Sequence, residues 1–429
     1  MRDKRDSIVH GTLTVLAVIL VIVVNAAGQE TTLYSFTKKT GTAPEANLVF
    51  DSTGNLYGTT YFGGEGTCNT IGDFGCGTVF KLIPGAGGVW TEEVLHFFSN
   101  KGGDGNQPLG GVVLDAAGNI YGTTQYGGSN TCGTTAEGFS GCGTVFELMP
   151  TGGGVYREKV IHTFVKNGVD GEAPEAGLVF DSAGNLYGTT VGGGDASYAY
   201  GTVFELTPSG DGNWTETILH NFDGCCNTDG IDPESSLIFD SAGNLYGTTL
   251  GGGPNLSGTV YELSPSGSGT WTEVLLYSFG GSVGYDISGG VAMDASGNLY
   301  GTTNLGGGGG GALYELSPVA GGGWTETTLY SFGRAKGPSR PVGNLILDAS
   351  GNVYGTTTEG GTKGGGTVFE LQPQAGGTWT LTLLHDFPSG PKDGIVPAAG
   401  LVSDAAGNLY GTTYRGGARE DGAVFEIVH

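Results

Sequence analysis

The sequence is poor in charge, in proline and in the residues that usually carry chemistry. Only 14% of its 429 residues are charged, and Lys and Arg number 17 against 42 Asp and Glu. A chain of formal charge −25 repels a phosphate backbone and an anionic lipid surface at long range, which argues against nucleic acid as a partner. Cations, neutral glycans and basic proteins stay open. Prolines number only 16, and the 87 glycines follow no triplet period, so a collagen helix is excluded. Disorder is excluded too, because 10% aromatic and 38% hydrophobic residues leave ample apolar surface to bury. Beyond residue 28 no apolar run approaches the roughly 20 residues that a spanning helix needs.

The N-terminus is the exception. Arg2, Lys4 and Arg5 precede an almost wholly apolar run from Leu13 to Val24, and small residues Ala26, Ala27 and Gly28 follow. This order reads as a secretory signal over 1–28, cut after Ala26 or Gly28. A retained anchor is the alternative, but an apolar run of about 12 residues is short for it. The remainder, 29–429, holds 14 basic and 40 acidic residues, a balance of −26.

What the sequence has in abundance is repetition. The phrase Asp-x-x-Gly-Asn-x-Tyr-Gly-Thr-Thr starts at Asp51, Asp115, Asp181, Asp240, Asp294, Asp348 and Asp404, at spacings of 54 to 66 residues. That period suits one four-stranded propeller blade with generous loops. In the third copy four β-patterned runs, a to d, span Gly177–Phe180, Leu186–Thr190, Gly201–Leu206 and Trp214–Phe222. All five tryptophans open strand d, and the seventh copy stops after strand c. Its missing strand lies at the other end of the chain, where Glu30–Phe36 repeats the seven residues of Glu326–Phe332. The sequence therefore predicts an all-β, seven-bladed propeller of four antiparallel strands per blade, closed by 30–36 joining the last blade, which leaves no unpaired terminal sheet.

The combination of GNLYGTT, GTVFEL and WTETxLHxF resembles the gloeo/verruco repeat of bacterial exported proteins, the choice-of-anchor tandem-repeat group, over essentially the whole mature chain. Asp-x-x-Gly-Asn-x-Tyr is also similar, less specifically, to NHL-type propeller repeats. The resemblance implies export and a tandem-repeat body without established activity, so no catalytic residue carries over. Members commonly bear a C-terminal sorting segment. This chain ends directly after strand c, so free secretion or cell-surface exposure is expected.

Recurring carboxylates look functional at first sight but occur once per blade. They read as turn caps for the aspartates and solubilising groups for the c- and d-strand glutamates. His96, His162, His220 and His385 share one position with Tyr34, Tyr277 and Tyr330. They read as packing groups, too far apart to meet at one metal. The glycine-rich loops lack the helix and lysine of a phosphate cradle. Without a central histidine a serine triad has no base.

Cys68 and Cys76 lie in the b–c loop of the first copy, and Cys132 and Cys142 in that of the second. A disulfide within each of these two longest loops is expected for an exported protein. The adjacent Cys225 and Cys226 would bridge only with strain.

In a meandering blade the d–a and b–c connections share one face. That face collects the length variation, Asp104, Asp170, Asp229 and Asp393 of the d–a loops, and Glu45, Glu175 and Glu234 at the start of strand a. These seven carboxylates are the candidate ligand-binding residues. The leading reading is a non-catalytic propeller that binds a glycan or protein there. A structural envelope protein and a lyase or lactonase using calcium near the channel are the alternatives. An enzyme calls for symmetry-breaking polar residues at the channel mouth.

Overall fold

Each repeat folds as one antiparallel sheet in a ring of seven. The computed structural model describes residues 29–429 apart from 66–67, 69–74, 100, 129–131, 137, 196–198, 225–228, 268, 281–283, 288, 334–336 and 389–392. The expected signal over 1–28 and the pair Cys225 and Cys226 lie outside the described residues. In the third blade strands a to d are Val179–Phe180, Leu186–Thr190, Thr202–Pro208 and Trp214–Asn221, paired in that order. Strand a is shorter than its sequence pattern, because the residues before it run along the channel with their backbone against neighbouring blades. A Cβ on Gly110, for example, would lie 2.5 Å from the carbonyl oxygen of Ala176. Among the described residues no helix is long and apolar enough to cross a membrane.

The repeated phrase is a self-contained turn clamp. Asp181 Oδ1 accepts the backbone N–H of Ala183 and of Asn185, both at 2.8 Å, and Oδ2 accepts Asn185 Nδ2 at 2.8 Å and the Tyr187 hydroxyl at 3.2 Å. Gly184 supplies the positive φ of 88° that the turn requires. Gly188 is small for a different reason: a Cβ there would meet the Phe204 ring at 2.7 Å. The two threonines divide their work. Thr190 and Thr202 share a hydrogen bond of 2.8 Å inside the blade, while Thr189 Oγ1 donates to the carbonyl of Ser235 in the next one.

The glutamates do not simply solubilise the outer strands. The one Tyr187 hydroxyl proton is shared between Asp181 and Glu205, the latter at 2.9 Å, that of Tyr121 between Asp115 and Glu147 at 3.0 Å, and Glu370 is only 4% exposed. On strand c the glutamate is thus one acceptor of a buried tyrosine hydroxyl. On strand d it sits half-buried at the boundary with the preceding blade, as Glu216 does beside His162.

Blades adhere through aromatic edges. The phenylalanine closing each strand d packs on the strand-c ring of the next blade, from Phe98 on Phe146 at 5.1 Å through Phe387 on Phe425 at 5.2 Å. Phe36 on Phe80 at 4.9 Å completes the circle. Each such ring is fully buried and stabilises by about 1.5–3 kcal/mol. Closure follows the sequence expectation: Gln29–Ser35 pairs antiparallel with Ala423–Val428, with Thr31 opposite Glu426 and Tyr34 opposite Val424.

Both loop disulfides are present, Cys68–Cys76 and Cys132–Cys142, each with Cα atoms 5.2 Å apart. The loops they close do not stand free of the blades. Cys68, Cys76 and Cys142 are buried among core side chains, and Phe139 from the second loop stacks on Tyr126 at 5.7 Å and lies 6.4 Å from Phe62 of the first blade. These anchors belong to the packed body because apolar partners were at hand to cover them.

Candidate functional site at the channel mouth

In every blade the chain leaves strand d, turns, and enters strand a beside the axis. The turn places one residue of each blade at positive φ: Ala43, Gln107, Ala173, Asp232, Asp286, Arg340 and Val396, with φ between 55° and 65°. In four blades a short pairing ties this turn to the b–c loop, as Gly171–Glu172 does with Gly192–Gly193, so both connections occupy one face as expected. Two residues after the positive φ comes the group that faces the axis. Glu45, Glu175 and Glu234 all line a central cavity of about 190 Å³, to which residues of all seven blades contribute.

The cavity is a cup. Below the mouth, glycines let the backbones meet, and Asn47 and Asn344 cross over, accepting the N–H of Gly400 at 2.7 Å and of Gly290 at 3.0 Å. The cup is also unevenly lined. Blades 1, 3 and 4 supply Glu45, Glu175 and Glu234 to the polar half of the wall, whereas blades 2, 6 and 7 supply Leu109, Val342, Ala398 and Ala399; Gln125 hydrogen-bonds Glu175, and the charges of Asp232 and Asp286 act on Glu234.

The polar half is a network. Tyr61 donates to Gln125 Oε1 at 2.8 Å, and Gln125 Nε2 donates to Glu175 Oε1 at 2.6 Å. Asn304 Nδ2 donates to Asp286 at 3.1 Å. Burial, reinforced by the Glu175 charge, pushes the Glu45 carboxyl up to about 7. Burial and the charges of Glu175, Asp232 and Asp286 push Glu234 up to about 7. Burial and Asp232 raise Glu175 as well, against the lowering hydrogen bond from Gln125. These groups are therefore half-buried carboxyls that repel one another near neutrality. Among the described residues, no three of them bring ligand atoms within 4.8 Å of one another, so the cup is wider than one ion's coordination shell. Tyr61, joined to this network through Gln125, packs on Phe62 at 4.4 Å.

Glu45, Glu175 and Glu234 thus meet as the sequence placed them. Tyr61, Gln125 and Asn304 were missed. Each follows directly after the Gly-Thr-Thr of its blade, a position that varies from copy to copy, and that variation beside a constant phrase was the available signal.

Asp104, Asp170, Asp229 and Asp393 lie elsewhere. None lines the cup. Each faces the histidine of its own strand d: His96–Asp104 and His162–Asp170 at 3.6 Å, His220–Asp229 at 3.1 Å and His385–Asp393 at 3.3 Å. The next blade adds Glu158, Glu216, Glu273 or Glu30 to these pairs. The histidines are not packing groups alone, and sequence reasoning missed this by testing them against one another instead of against carboxylates.

The chain is similar to solved structures. A 6-phosphogluconolactonase candidate from Bacteroides uniformis superposes with a TM-score of 0.50 at 13% identity, over 83% of this chain and 88% of its own. A protein of unknown function from Dyadobacter fermentans gives 0.44 at 12% identity, over 93% and 98%. A gluconolactonase candidate gives 0.39 at 14%, over 74% and 87%. No curated protein matches the chain. The model of the Gloeobacter/Verrucomicrobia repeat matches residues 129–322 and 272–429, together well over half of the sequence and consistent with the repeated phrases, and the chain belongs to that repeat family.

Proposed function

We propose that this is an exported, non-catalytic binding propeller whose channel cup takes a neutral, hydroxyl-rich ligand of the glycan class. The observation that carries this reading is the mixed lining of the cup. Glu45, Glu175 and Glu234 present carboxyl groups that can donate to and accept from hydroxyls, and Leu109, Val342, Ala398 and Ala399 present apolar surface. A sugar ring has the same division between a hydroxyl edge and an apolar face. The acidity of the cup disfavours anionic ligands.

A second reading, a lactonase or lyase, is favoured by one observation. Carboxyls pushed up to about 7 at a symmetry-breaking mouth are poised for general acid–base work. Calcium would serve either reading by bridging two of the carboxylates to a ligand oxygen.

A glycan array followed by titration calorimetry, with and without calcium, tests the binding reading. Wild type should bind a neutral glycan, and the combined Glu45→Gln, Glu175→Gln and Glu234→Gln variant should bind it at least tenfold more weakly. Equal binding by that variant overturns the reading. Turnover of a bound sugar lactone replaces it with the enzymatic one.

A further inference from the structure

The histidine clusters form at four blade boundaries and vanish at the other three. Where strand d carries His96, His162, His220 or His385, an aspartate follows eight or nine positions later and the next blade brings a glutamate. Where strand d carries tyrosine, the place of that aspartate, three residues before the positive-φ turn residue, holds Thr40, Val283 or Gly337 in the sequence. Tyr34 donates directly to Glu92 of the next blade, and Tyr330 faces a blade with Leu381 in the glutamate's place. A histidine kept for packing needs no aspartate. Their joint presence points to three groups acting on one object.

At two boundaries the histidine is hydrogen-bonded to its aspartate, His220 to Asp229 at 3.1 Å and His385 to Asp393 at 3.3 Å; at the other two that object is missing from the protein's own hydrogen bonds. At the first boundary His96 Nε2, Asp104 Oδ1 and Glu158 Oε1 are all buried without a hydrogen-bond partner, and at the second the same holds for His162 Nε2, Asp170 Oδ1 and Glu216 Oε1. Asp170 is more than nine-tenths buried, and its Oδ1 is aimed at His162 Nε2, 3.6 Å away. Its other oxygen is already taken by the N–H of Val165 at 2.9 Å, just as Asp104 Oδ2 is held by Ser99. The backbone thus fixes each aspartate and leaves one oxygen facing the cluster. At these two boundaries, and in the Glu30, His385 and Asp393 group, the three ligand atoms lie within 4.8 Å of one another.

We infer that the His–Asp–Glu clusters between adjacent blades are divalent transition-metal sites, each ion pinning the d strands of two blades together. One imidazole nitrogen with two carboxylate oxygens suits zinc or manganese and suits calcium poorly, since calcium takes oxygen ligands. These sites lie apart from the channel cup and do not depend on what the cup binds.

The test is zinc stoichiometry. Full-length protein stripped of metal is dialysed against micromolar zinc with millimolar calcium present, and bound zinc is measured by mass spectrometry. Wild type should retain two to four ions per chain and melt at a higher temperature with zinc than without. The variant carrying His96→Tyr, His162→Tyr, His220→Tyr and His385→Tyr should retain none and show no zinc-dependent shift. Tyrosine stands at this position in three blades of the same ring, so the replacement is compatible with the fold, as circular dichroism will check. Asp170→Asn alone should remove one ion and offers a second route should the fourfold variant misfold. Wild type without bound zinc, or Asp170→Asn and the fourfold variant with undiminished zinc, overturns the inference and leaves the clusters as ion pairs.

Discussion

Two sets of carboxylates in this molecule meet opposite fates. The turn aspartates are surrounded by donors: Asp348 accepts two backbone N–H groups, an amide and a tyrosine hydroxyl. Burial alone would raise its carboxyl, but the donors from Asn352, Ser350 and Tyr354 outweigh it and hold Asp348 below the ordinary value, and Asp240 and Asp404 behave likewise. The mouth glutamates are buried with few donors and near other carboxylates, and their carboxyls rise. Satisfied groups of the first kind stabilise the fold, whereas groups of the second kind cost stability.

The most severe way to probe the satisfied framework is to remove a whole strand. Deleting residues 29–36 strips the outer strand from the last blade and the Phe36–Phe80 contact with the first. Several kcal/mol of stability should go with it, and a melting temperature equal to wild type would refute closure as a stabilising device. Reducing the two disulfides should cost less, about 2–3 kcal/mol each in the chain-entropy model. Because Cys68, Cys76 and Cys142 are buried with core side chains, the loss should register in global denaturant unfolding as well as in the loops. Unchanged unfolding after reduction would show that the loops act independently.

Single groups then separate the two sets. Asp348→Ala removes a turn clamp and should destabilise by about 1–3 kcal/mol at pH 7. The combined Glu45→Gln, Glu175→Gln and Glu234→Gln variant should do the reverse. Glu45 and Glu234 have folded-state values near 7 against 4.5 in the unfolded chain, so the stability of the protonated form is fully present below pH 4.5 and is lost as pH rises through 7. Glutamine keeps the neutral form at every pH. After allowance for solvent at the mouth, the variant should gain on the order of 1–2 kcal/mol at pH 8 and nothing at pH 4. The turn aspartates act in the opposite window, with their contribution lost as pH falls below about 4. A variant no more stable than wild type at pH 8 would mean that the mouth carboxylates are satisfied after all.

Much of the architecture was legible because the repeat carries its own local chemistry. Asp, Gly, Asn and Tyr of the turn phrase contact one another within seven residues, and ETTLYSF at the N-terminus has a copy whose place in a blade is known, so turn, blade count and closure are all written in short range. The approach of Glu45, Glu175 and Glu234 to the axis was legible for a related reason, since position along a repeat translates directly into distance from the ring's centre. The ring itself decided the rest. Gln125 reaches Glu175 of the following blade, 50 residues on, and His96 meets Glu158, 62 residues on, because neighbouring sheets are rotated into contact about a common axis. Those pairings belong to no single repeat. Whether a carboxylate finds donors, a histidine or another carboxylate depends on which side chain the adjacent blade presents, and only the packing of blade on blade settles that.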